Sequence, residues 1–338
     1  MDELKDAVKM FSKDMSDSLT SSTSLSFAED NWVSFTPRNY PVASMGKLTD
    51  WAYNQLAGRL DAPPTRWLLD DTHCDTGLRN GIMDYLVKVR PEQGLTVRMN
   101  GDSVRAVLSD QYTKFDHTEL VDMVGEAITE MGVQAEVRRA EIGDELRAYV
   151  LVPSITFAND PTKQGNGGLH PAVYLSNSER GGGAVRITGA VYRSVCSNGV
   201  IYGWSATDVF SMRHRWIDQN GMRVLVADAL AQSFKMSEKA AMAFVRAQQL
   251  QVEPRSLKPI VNEWALKYGI SISAKENWLQ VITSEATSYG RAEDPRLFDV
   301  VNAATYVAQQ QIPAEREQME RMAGDILFYQ GGNDDAEA

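Results

Sequence analysis

Apolar and polar positions follow two rhythms along this chain, and the change falls near residue 215. Before it, several segments alternate with the period of two that suits a half-buried strand. Residues 95–108 read as two short strands around Asn100-Gly101, a dipeptide favoured in tight hairpin turns. Val133, Ala135 and Val137 alternate with polar residues, as do Leu146, Ala148, Val150 and Val152, with Gly143-Asp144 as the turn between. A further hairpin is expected from Ala172–Ser178 and Ala184–Tyr192, joined by Glu-Arg-Gly-Gly-Gly, and another strand over 199–204.

Helical spacing interrupts this pattern early and replaces it late. Residues 48–60 and 76–88 are separated by Pro63-Pro64, and in the second Leu78, Ile82, Tyr85 and Leu86 share one face. A helix over 117–131 has an apolar stripe of Leu120, Met123, Val124, Ala127, Ile128 and Met131. Asp116 and Glu119 are spaced as a capping box before it, and Gly132 suits its end. From 219 onward the helical period dominates: stripes run through Met222–Leu230 and Leu257–Tyr268. Ser273 and Glu276 form a further capping box, Asp294-Pro295 opens another helix, and the last starts near Pro313. The fold class expected is α+β: an antiparallel β-hairpin core with packed helices over 31–215, then a C-terminal helical subdomain over 216–330. Residues 95–108, 133–152 and 172–204 are expected to share one curved sheet. The Ser/Thr-rich residues 1–30 read as a mobile arm, and 331–338 as an acidic tail.

With 43% apolar and 23% charged residues in 338, the chain suits a globular protein rather than a disordered or fibrous one. No apolar run approaches the roughly 20 residues that span a bilayer, and the N-terminal stretch lacks a signal-peptide core. A water-soluble cytoplasmic protein with no membrane partner is the expectation. Two cysteines, Cys74 and Cys196, fit a reducing compartment. The net charge of −11 argues against a general nucleic-acid coat, but its distribution changes the picture. Residues 151–260 hold twelve Lys and Arg against seven Asp and Glu, whereas the segments on either side are acidic.

Candidate chemistry is sparse. His73, His117, His170 and His214 lack metal-ligand spacing, so neither a metal nor another cofactor is expected. Cys196 has Arg193 nearby, which could lower its pKa, and His214 could serve it as a base; a structural strand-end thiol is the alternative. Gly181-Gly182-Gly183 lacks the phosphate-loop pattern and reads as a turn requiring positive φ. Residues 257–288 have helix-turn-helix spacing, but their second helix is poorly basic, and an ordinary helical hairpin is the alternative. The arginines say more. Arg180 and Arg186 flank the glycine turn, Arg186, Thr188, Ala190 and Tyr192 share one strand face, and Arg193 ends the strand. Arg213-His214-Arg215-Trp216 follows. Guanidinium groups pair with phosphates, and aromatic rings beside them can stack on bases. A solvated sheet face with Arg stacked on Trp is the alternative.

Three motifs carry a family resemblance. Arg105-Ala-Val-Leu-Ser109 leading to Tyr112 resembles an R-x-V-L-S-x-x-Y segment, and Asn177-Ser178-Glu179 resembles an N-S-E-x-G turn. Tyr192-Arg193-x-Val195-Cys196-x-Asn198-Gly199 resembles a Y-R-x-V-C-x-N-G signature. Arg213-His214 and the Val301–Thr305 stretch match later elements loosely. The pattern is similar to a phage- and plasmid-associated family of unknown function. That resemblance implies a mobile-element context, with no catalytic residue to transfer. The function expected is a non-enzymatic nucleic-acid-associated protein that holds single-stranded DNA in recombination, as a homo-oligomer. Arg186, Arg193, Arg213 and Arg215 would contact phosphates, and Tyr192 and Trp216 would stack on bases. The alternatives are a protein that blocks a host defence factor through an acidic surface, and a cysteine-dependent enzyme.

Overall fold

The computed structural model describes residues 1–40, 42–152, 158–159, 168–193, 198–201, 209–214, 219–288, 290 and 293–331. In chain order its helices are α1 (Asp2–Phe11), α2 (Asp50–Arg59), α3 (Thr65–Leu68), α4 (Thr76–Val89) and α5 (His117–Glu130). They continue with α6 (Gln219–Ala247), α7 (Leu257–Tyr268), α8 (Ile272–Ser288), α9 (Leu297–Ala308) and α10 (Pro313–Gly331). The strands are β1 (Met15–Ser21), β2 (Ser26–Phe27), β3 (Trp32–Phe35), β4 (Ser44–Leu48), β5 (Gly94–Asn100), β6 (Ser103–Ser109) and β7 (Glu136–Ile142). After them come β8 (Glu145–Leu151), β9 (Ala158–Asn159), β10 (Gly168–Ser178), β11 (Val185–Arg193), β12 (Asn198–Ile201) and β13 (Val209–Met212).

This is an α+β fold, but with two sheets where one was expected. The 95–108 hairpin pairs with strands from the N-terminus in the order β1-β5-β6-β4-β3-β2, while the later hairpins form β12-β11-β10-β8-β7, with β13 also on β11. Residues 1–30 are not a free arm. α1 buries Leu4 and Val8, and β1 pairs along its whole length with β5. Composition hid this strand because its polar side chains find partners far along the chain: Thr20 donates to the Thr36 carbonyl, and Asp17 sits directly across from Arg98. A bridge between Thr20 and Pro37 ties β1 to the chain just after β3. No described helix is long and apolar enough to cross a membrane.

Local signals set the element ends. Gly101 adopts φ +53° in the β5–β6 turn, and Gly269 closes α7 in the left-handed region. At α5 the Asp116 side chain caps the N3 amide while Glu119 reaches back to the Asp116 amide, the reciprocal pair the spacing predicts. α8 starts one residue earlier than its expected cap, with Ser271 Oγ accepting from Ala274 N, and Pro295 lies before α9 rather than inside it. Trp278 and Ala274 bury the α8 face toward α9, with the Trp278 indole donating to the Val300 carbonyl.

Each sheet-two face is covered. Ala148, Val150, Val173, Leu175, Val185 and Ile187 pack under α1, α5 and the first half of α6. The second half of α6 belongs to a separate core with α7–α10. On the other face, Tyr149, Tyr174 and Tyr192 pack together. α10 lies across this face: Glu320 accepts from Tyr149 Oη at 2.6 Å and Arg139 at 2.8 Å, while Glu317 accepts from Tyr174 Oη at 2.9 Å. Burial holds both tyrosines well above their ordinary pKa, so they stay donors.

Candidate functional site

The two sheets meet at the turn after β10, and a buried charge network joins them there. Arg98 on β5 is 1% exposed. Its Nε and Nη2 reach both oxygens of Asp17 at 2.7 and 3.2 Å, Nη2 also meets Asp116 at 2.6 Å, and Nη1 donates to the Glu179 carbonyl at 2.6 Å. Arg105 on β6 donates to Asp144 at 2.9 Å and to Glu179 at 2.6 Å. The Glu179 carboxylate, fully buried, also accepts from the His117 amide at 2.8 Å, at the positive end of α5. His117 Nε2 lies 3.0 Å from the Gly143 carbonyl, which makes Nε2 the donor and leaves Nδ1 to accept from Asn177 at 3.0 Å. Burial lowers the His117 pKa and keeps the ring neutral, although Glu179 opposes the shift. Charges this deep persist only because each is paired and hydrogen-bonded.

Beside the network the same turn borders a polar cleft of about 530 Å³. Gly181–Gly183 form one wall, with Gly181 at φ +75°. A Cβ on Gly181 would lie 2.7 Å from Leu108, so both conformation and space call for glycine. Trp51 and Gln55 of α2 pin the turn by donating to the Arg180 carbonyl at 3.1 and 2.8 Å. Three arginines line the cleft: Arg59 from the end of α2, Arg186 from β11 and Arg213 after β13. β13 pairs with β11 so that Ser211 faces Arg186, which is how residues distant in sequence come together. Arg186 lies 3.8 Å from Glu317, Arg59 donates to the Val107 carbonyl, and Arg213 has no ion-pair partner among the described residues.

Tyr112 and His214 close the inner end, their rings stacked at 4.9 Å with Tyr112 Oη 3.0 Å from His214 Nδ1. Burial pushes Tyr112 up and His214 down to about 4, so both are neutral at pH 7. His214 Nε2 is buried and has no hydrogen-bond partner among the described residues.

Of the residues expected to touch nucleic acid, Arg186, Arg213 and His214 gather at this cleft. Arg180 does not; it stacks over Trp51 at 4.4 Å and pairs with Glu145. Tyr192 is 6% exposed among Tyr149, Leu151 and Tyr174, so its ring offers no face to a base. The strand face expected to carry DNA is the one under α10. Arg193 ends β11, but Arg215, Trp216 and Cys196 lie outside the described residues. Among the motif residues, Arg105, Asn177 and Glu179 belong to the network, Tyr112 links it to the cleft, and Ser109 lines the cleft. Asn198 and Gly199 pair in register with Arg193 and Tyr192 on β12. Sequence reasoning missed Arg59, Arg98, Asp17, Asp116 as an ion-pair partner, and Asp144. Only Arg98 carried a local signal, a charge in mid-strand between Val97 and Met99. Among the described residues, no group of three His, Cys, Asp or Glu gathers to hold a metal.

The family described as Domain of unknown function (DUF932) matches residues 104–323, from β6 to α10. No curated protein and no solved structure matches significantly.

Proposed function

The chain belongs to this domain-of-unknown-function family, and from its cleft we propose a nucleic-acid-associated protein that holds the phosphates of single-stranded DNA. One observation carries the reading: in a chain of net charge −11, three arginines and a glycine turn line one polar cleft. Guanidinium groups lining a cleft favour phosphate oxygens, which accept paired N–H bonds. The sequence resemblance to phage- and plasmid-associated proteins supports a mobile-element role for the same activity. The contact is a short phosphate anchor rather than a sheet-wide track, because α10 covers the strand face.

Fluorescence anisotropy with labelled single strands, measured across salt, tests this. Three phosphate contacts give a slope of about 2 in log affinity against log salt. Arg213→Glu should weaken binding to every sequence and make the slope shallower by about 0.7. Tyr192→Phe should leave binding unchanged. A folded protein that binds no single strand at low salt overturns the proposal and favours a protein partner instead.

A further inference from the structure

The apolar stripe of α4 is only partly used by its own fold: Ile82 and Leu86 pack against the core of the first sheet, while the other edge of the stripe is left uncovered. The side chains it buries are Arg79, Met83 and Val87. Leu78 and Tyr85, two of the four residues whose spacing marks the helix in the sequence, are 49% and 61% exposed, and Val89 and Trp67 are exposed too. Leu78, Ile82 and Tyr85, with Pro63 and Trp67, border an apolar hollow of about 540 Å³. Gly81 sits mid-helix on this seam, where glycine weakens a helix relative to alanine. Packing within this chain does not require it, since a Cβ there would meet nothing within 4 Å.

We propose that this face is a homodimer interface in which two α4 helices pack antiparallel about a two-fold axis at Gly81. A symmetric pairing demands a self-complementary surface, and the seam supplies one. Gly81 against Gly81 of the second copy lets the backbones approach. Leu78 then lies opposite Tyr85 of the second copy, whose ring enters the hollow beside Trp67, a role suited to an amphipathic aromatic side chain. The antiparallel direction also sets Asp75, the N-cap of the helix, toward Lys88 in the last turn of the second copy, and opposes the two helix dipoles. The interface is independent of the arginine cleft.

Light scattering coupled to size exclusion tests it on the full chain, with circular dichroism as the folding control. The wild type should show twice the chain's 37.5 kDa. Tyr85→Glu and Leu78→Asp, both at exposed positions, should each raise the dissociation constant by about tenfold or more while leaving the spectrum intact. Gly81→Cys should give a covalent dimer on oxidation that the wild type does not. A wild type monomeric at its highest soluble concentration overturns the proposal. So does a dimer that tolerates both charged substitutions and resists cross-linking through Gly81→Cys.

Discussion

Replacing Glu179 by alanine should be among the most damaging single changes this chain can take outside its apolar cores. Its carboxylate, 0% exposed, accepts from Arg105 at 2.6 Å and from the first amide of α5 at 2.8 Å. Removing one partner of a buried ion pair costs about 3–5 kcal/mol, because the other charge stays behind unsolvated. Arg105 keeps Asp144, a partly exposed partner, so the lower end applies, about 3 kcal/mol. The orphaned α5 amide adds about 1 kcal/mol. The expected total is about 4 kcal/mol, against whole-domain stabilities of about 5–15 kcal/mol. Glu179→Gln keeps an acceptor for the amide and should fall between. Arg186→Ala is the control: that guanidinium is 41% exposed and 3.8 Å from Glu317, so its loss should cost about 1 kcal/mol or less. Guanidinium chloride titration followed by tryptophan fluorescence measures all three. A Glu179→Ala midpoint close to that of Arg186→Ala would show that the network does not hold the sheets together.

Two further changes test the cleft wall and its inner end. His214 has a folded pKa of about 4 against about 6.5 when unfolded, so the unfolded chain takes up the proton first as pH falls. Its stabilisation is complete above pH 6.5, lost progressively down to about pH 4 and constant below, to a total of about 3 kcal/mol. His117, also lowered by burial, adds a contribution of the same sign. His214→Phe, which can keep the stack on Tyr112, should flatten part of this dependence in denaturation curves at pH 7, 5.5 and 4.5; an unchanged slope refutes the assignment. Gly181→Ala should cost about 1–2 kcal/mol from the left-handed backbone alone, before Leu108 moves, whereas Gly183→Ala, with nothing nearer than 3.6 Å, should be nearly neutral. Equal melting temperatures for the two variants contradict the geometry.

What the sequence made legible was local. The β5–β6 hairpin, the Asp116/Glu119 box and the α5 stripe from Leu120 to Ile128 are each decided within a few residues and form, although the hairpin's two loop residues are Gly101-Asp102, one position later than expected, and Met131 stays exposed. Strand partners are decided elsewhere. β5 and β6 join the first sheet because β1 and β4 flank them, and nothing within 95–108 specifies that choice. The same limit produced the error on β11. Alternation correctly put Arg186 and Tyr192 on one face, but what covers that face is α10, over a hundred residues later. The cleft was half visible: Arg186, Arg213 and the glycine turn stood out as a group. Arg59 did not, since its place depends on α2 docking against the turn through Trp51 and Gln55.

The junction at Glu179 also sets an order of events during synthesis. Arg105 has both of its acidic partners, Asp144 and Glu179, downstream of itself, and Arg98 waits 81 residues for the Glu179 carbonyl. At about 5–20 residues per second, several seconds pass between translation of these guanidinium groups and arrival of their last acceptor. During that interval the hairpin of β5 and β6 cannot complete its inner seal. The N-terminal sheet therefore completes this seal only once the turn after β10 has been synthesised, although Arg98 already has Asp17 of β1 behind it.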